Sequence, residues 1–114
     1  MSTSIEDASD LCAALPASEL SYPFGEGAAV YKVVGKVFAV LSEGDKPLLT
    51  LKADPEDARA LVATYAEVIP GYHMNKKHWI SVTLPAHRAP VNEIVRDSYD
   101  LVVASLPRAK RPTP

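Results

Sequence analysis

Ala28-Ala29-Val30-Tyr31-Lys32-Val33-Val34-Gly35-Lys36-Val37-Phe38-Ala39-Val40-Leu41-Ser42 is the stretch on which the fold turns. Val, Tyr and Phe crowd it, and Gly35-Lys36 interrupts it near the middle. This pattern predicts a hairpin: a strand over 29–34, a tight turn at Gly35 and a strand over 37–42. Glu43-Gly44-Asp45-Lys46 is a second turn. Pro47–Leu51 follows as a third strand, with Leu49 and Leu51 on one side and Leu48, Thr50 and Lys52 on the other. Strands joined in a run by tight turns are antiparallel.

Working outward, residues 4–15 predict a helix. Ser4 caps it, and Ile5, Ala8, Leu11, Cys12 and Leu15 share one face before Pro16 ends it. Residues 21–27 are turn-rich. Asp54-Pro55-Glu56-Asp57 has the marks of a helix start: a capping Asp, a Pro in the first turn, and acids at the positive end of the dipole. Its buried stripe is Ala58, Leu61, Val62 and Tyr65, and Pro70-Gly71 makes the next turn. Lys77–Leu84 alternates as a strand, with Ile80, Val82 and Leu84 opposite Trp79, Ser81 and Thr83. Pro90 opens a last helix bearing Val91, Ile94, Val95, Leu101 and Val102, and Pro107 closes it. The helices must cover one face of the sheet to bury their stripes. The expected architecture is therefore a two-layer α+β domain, an antiparallel sheet covered on one face by helices.

At 114 residues the chain is the size of one domain. It is assigned to residues 1–107, with 108–114 expected as a flexible basic tail (Arg108, Lys110, Arg111) that lacks apolar periodicity and frays. A 47% hydrophobic, 23% charged composition excludes a disordered chain or a collagen-like fibre. No apolar run approaches the ~18 residues of a membrane span. Glu6, Asp7 and Asp10, with no basic residue among the first 15, argue against a secretory signal. Cys12 is the single cysteine, which excludes an intrachain disulfide and reads as a small buried hydrophobe. A cytoplasmic protein is expected.

The net charge is −2 and the pI 5.9, yet the charge is unevenly distributed. Residues 1–31 carry Glu6, Asp7, Asp10, Glu19 and Glu26 with no Lys or Arg. Residues 68–92 carry Lys76, Lys77, Arg88 and all three histidines, His73, His78 and His87, with no acid. Such asymmetry is a better guide to partners than the total. Trp79, phased away from Ile80 and Val82, is expected on the uncovered face of the sheet with Tyr31 as a neighbour. An aromatic among cations is what recognition of nucleic-acid strands and loops uses. Its competing reading is a lid over the end of the core. Gly25-x-Gly27 precedes a strand and not a helix, so it is no phosphate loop. No Ser sits in a nucleophile-elbow pattern. His73-x4-His78 with His87 fixes no coordination geometry, so neither metal nor cofactor is expected.

Five segments together carry a family resemblance. They are Tyr22-Pro23-Phe24-Gly25, Val30–Ala39, Leu51-Lys52-Ala53-Asp54-Pro55-Glu56, Pro70-Gly71-Tyr72-His73-Met74-Asn75-Lys76-Lys77-His78-Trp79 and Ser98-Tyr99-Asp100-Leu101-Val102-Val103. In this order, over about residues 5–107, the chain resembles the MmcQ/YjbR family of small bacterial proteins, formerly a domain of unknown function. The Gly-Tyr-His-Met-Asn-Lys-x-His-Trp segment is the most specific of them. The resemblance implies an α-β(3)-α-β(2)-α domain and DNA binding of a double-wing kind, and it carries over no catalytic residue. One departure is Ile80-Ser81, where many members have Asn followed by Thr or Ser.

The expected function is thus a non-catalytic DNA-binding or regulatory module, weak and salt-dependent. Its candidate residues are His73, Asn75, Lys76, Lys77, His78, Trp79 and Arg88. The alternative is a small-molecule or protein-binding module that uses the open face of the sheet.

Overall fold

The computed structural model describes residues 2–71 and 74–112. Its elements run α1 (Ile5–Ala13), β1 (Ser18–Ser21), β2 (Ala28–Val33), β3 (Lys36–Ser42), β4 (Leu48–Lys52), α2 (Pro55–Thr64), β5 (Val68–Pro70), β6 (Trp79–Thr83) and α3 (Val91–Ala104), then a 3-10 turn, Arg108–Lys110. Six strands form one antiparallel sheet in the order β1-β2-β3-β4-β6-β5. The α+β class and antiparallel sheet are those expected, but four strands precede α2 where three were expected. The added strand, β1, is Ser-Glu-Leu-Ser at the sheet edge, with one apolar residue and hence no alternation to detect.

Local chemistry sets the ends of the elements. Ser4 and Asp7 form a reciprocal capping box on α1, at 3.1 Å in each direction. The Asp54 side chain accepts from Glu56 N at 3.0 Å to cap α2. The β2–β3 turn is two residues, Val34 and Gly35, both at positive φ (49° and 79°), which matches the right-handed twist of a hairpin. The Leu84–Pro85 peptide is cis.

All three helices lie on one face. α3 packs on β2, β3 and β4, α1 on α3, β1 and β3, and α2 on β5 and β6. Ala39, Leu41, Leu49, Leu51, Ile80, Val82 and Leu84 are buried beneath them, which is the phase expected for β4 and for the Ile80–Leu84 strand. Between Tyr31 and Lys32 the β2–β3 register slips, so β3 carries Phe38 as an extra residue. This β-bulge turns Phe38 into the core beside Ala39. The Ser98 hydroxyl of α3 bridges the gap, donating to Phe38 O (2.6 Å) and accepting from Lys52 N (2.9 Å).

Two expectations need correction. Tyr31 does not neighbour Trp79; it faces the helices, its hydroxyl 2.6 Å from that of Ser9 on α1. β2 is apolar on both sides, so its phase could not be read from pattern alone. The face away from the helices is also not bare. Val30, Thr50 and Ser81 lie on it and are buried, with Thr50 and Ser81 hydroxyls 2.7 Å apart. Phe24 of the 22–27 turn and Met74, ahead of β6, reach over it and share a cavity with Val40, Leu48 and Thr50.

Beyond α3, Arg111 reaches back to the helix end. The Arg111 guanidinium donates to Leu106 O (3.0 Å) and Ala104 O (2.9 Å), satisfying carbonyls at the helix end. No helix among the described residues is long and apolar enough to cross a membrane.

Candidate functional site

Within the most specific segment of the sequence, residues 74–78 form a tight turn leading into β6. Asn75 builds it: its side-chain oxygen accepts from Lys77 N at 2.9 Å, and its carbonyl accepts from His78 N at 3.2 Å. The side chains of Asn75, Lys76, Lys77 and His78 are exposed, and the Lys76 ammonium donates to Gly71 O at 3.0 Å. His78 O accepts from Ala53 N at 2.8 Å, which ties the turn to the start of α2. His73 lies outside the described residues.

Trp79 begins β6 on the face away from the helices, half-buried, opposite Lys52 of β4. Gly71 N donates to Trp79 O at 2.8 Å, so the loop leaves the sheet in close contact with the tryptophan backbone. A Cβ at position 71 would stand 2.6 Å from Trp79 Cβ and 2.8 Å from its carbonyl oxygen. Gly71→Ala must therefore push the loop off the strand, at an expected cost of about 1–3 kcal/mol. Urea unfolding measures it; a change under ~0.5 kcal/mol would mean that the loop is free to shift.

α2 brings to this turn a cation that sequence reasoning missed. Arg59 lines, with Lys76 and Lys77, a groove of about 470 Å³ between α2 and the turn, floored by Ala58, Val62, Pro70 and Ile80. Among the described residues no acidic side chain lines it. Arg59 is 17 positions from Lys76 and sits on an exposed helix position, so only the packing of α2 beside β5 and β6 makes them neighbours.

The remaining candidate, Arg88, is placed elsewhere. The 84–90 loop leaves the far end of β6, where the Glu67 carboxylate accepts from the backbone N–H groups of His87, Arg88 and Ala89. The first of these bonds is the largest cause holding the Glu67 carboxyl below its ordinary range, and the other two add to it. Lys76, Lys77 and His78 thus share one end of the strand with Arg59, while His87 and Arg88 share the other with Glu67.

The electrostatics elsewhere are different. Asp97 of α3 has its carboxyl raised by burial and by the nearby charges of Asp57, Asp100 and Glu93, which marks an acidic flank between α2 and α3. Burial pushes the Cys12 thiol up to about 12, leaving no thiolate for nucleophilic chemistry. No cluster of three or more metal-ligating side chains occurs among the described residues.

Three comparisons place this geometry among known proteins. The chain matches the family model described as YjbR over residues 13–101. It is 43% identical over 110 residues to the uncharacterised protein YbdF of Escherichia coli O157:H7, covering 93% of this chain and 88% of that one. It is 34% identical over 103 residues to the uncharacterised protein YjbR of Escherichia coli K12, covering 88% and 87%. Among solved structures it resembles a Deinococcus radiodurans protein, DR2400, of domain DUF419. The TM-score is 0.83 at 35% identity, over 96% of this chain and 86% of that one.

Proposed function

From the premise that this chain belongs to the YjbR family, as the match over residues 13–101 and the 43% identity to YbdF establish, we propose that it is a non-catalytic module that binds DNA weakly through the phosphate backbone. The observation that carries this reading is the convergence of Arg59, Lys76 and Lys77 on one groove with no acid among the described residues of its lining. Phosphates are held by such cations without regard to base, so the binding has little sequence preference. The apolar floor of the groove suits a sugar or the edge of a splayed base. The rest of the molecule opposes the contact. A net charge of −2 and the acidic flank around Asp97 keep affinity low and confine binding to this end.

Fluorescence anisotropy with a labelled random duplex at several salt concentrations tests this. Each phosphate contact steepens the log–log salt dependence by about 0.9, so three cations give a slope no steeper than about −3. Arg59→Glu combined with Lys77→Glu should weaken binding to all sequences alike and flatten that slope. Equal binding by this double variant would move the DNA surface elsewhere, and no binding by wild type at ~50 mM salt would end the proposal.

A further inference from the structure

The face of the sheet away from the helices holds a cavity of about 410 Å³, within the ~300–1,000 Å³ typical of small-molecule sites. Its floor is built from β3 and β4 by Val40, Leu48, Ser42 and Thr50. Both are interior strands whose backbone groups are taken up by ladders on either side, so the floor offers side chains and no open sheet edge. A peptide cannot add there as a strand. The walls are Phe24, a residue 82% exposed, and Met74, a side chain that adapts its shape to what it touches. Thr50 already shares its hydroxyl with Ser81. Among the described residues Lys46, from the β3–β4 turn, is the only charged one in the lining.

Each feature narrows the ligand. Val40 and Leu48 in the floor, with the Thr50 hydroxyl turned to Ser81, and an exposed aromatic wall favour an apolar body, which would take the Phe24 ring out of water. A single ammonium at the rim pairs with a single negative charge; a polyphosphate would need more cations than one. Among the described residues no carboxylate lines the cavity to hold a metal ion or an amine. We propose that this cavity binds a small amphipathic monocarboxylate, its apolar part between Phe24 and Met74 and its carboxylate on the Lys46 ammonium. The site is separate from the Arg59–Lys77 groove and shares no lining residue with it.

Met74 supplies a local readout, because the chain has only two methionines, the other being Met1. Protein labelled at the methionine methyls is titrated, with NMR detection, with decanoate, 2-naphthoate and neutral decanol. The expected result is a saturable shift of the Met74 methyl with at least one of the two carboxylates; which one responds tells an alkyl from an aromatic body. Lys46→Gln should weaken that carboxylate about tenfold, the worth of a charge-assisted hydrogen bond, and leave decanol unchanged. Phe24→Ala should weaken carboxylate and alcohol alike. Both side chains are exposed, so neither change threatens the fold. An unmoved Met74 methyl, or an undiminished carboxylate affinity in Lys46→Gln, overturns the proposal. Loss of the shift in Arg59→Glu/Lys77→Glu would assign the ligand to the other groove and overturn it equally.

Discussion

Phe38→Ala is expected to destabilise the fold by about 3–5 kcal/mol, the range for a buried Phe truncated in a core that cannot collapse. The ring is fully buried and lies between two others. Its centroid is 5.4 Å from that of Tyr99 in an edge-to-face arrangement and 6.4 Å from that of Tyr31 in a tilted one. Both neighbours are held from outside the contact. Tyr99 donates its hydroxyl to Pro16 O at 2.6 Å, and the Tyr31 hydroxyl lies 2.6 Å from that of Ser9. Neither ring can move inward without losing a hydrogen bond, so the space left by Phe38 stays open. Urea unfolding at constant slope reads the loss directly. A cost below ~1 kcal/mol would mean that the bulge relaxes and refills the hole.

Ser98→Ala removes one oxygen yet should cost about 2–6 kcal/mol, because two backbone groups are stranded at about 1–3 kcal/mol each. The β3–β4 ladder stops at Ala39 and Leu51, and one step beyond it, beside the bulge that β3 makes against β2, Phe38 O and Lys52 N are joined through a side chain. The Ser98 hydroxyl stands between them as acceptor and donor. The residue is fully buried, so water cannot take its place. Amide exchange at Lys52 should quicken in the variant by more than the global loss of stability explains. Unchanged protection at Lys52 with unchanged stability would show that the two strands pair by themselves. Two residues that look unremarkable in sequence, a Phe in a strand and a Ser in a helix, are thus parts of one device.

This is also where legibility ended. Features set within a few residues could be read: the Asp54-Pro55 helix start, the β4 alternation and the phase that buries Ile80, Val82 and Leu84. Features that depend on how elements meet could not. The bulge leaves no mark, since Val37, Phe38 and Ala39 are all apolar and any of them could face inward. The side taken by Tyr31 was hidden by the equally apolar Val30 beside it. For the candidate site, the run Asn75–His78 was visible because it is contiguous. Arg59 was not, because only the packing of α2 brings it near. Arg88 was grouped with the lysines by closeness in sequence, and the length of β6 parts them.

The strand order has a consequence for assembly. A sheet stops growing only where its outermost strands refuse a neighbour, and here the two outermost are β1 and β5. β1 has four residues, and one of them is Glu19; β5 has three and ends at Pro70, which has no N–H to give. An incoming strand would find a short row of partners at either margin, with a carboxylate or a ring where a hydrogen bond should form. The long, apolar, aggregation-prone strands β2, β3 and β4 are held between these margins. Two of the least conspicuous segments of the chain therefore guard the most hazardous ones against runaway stacking.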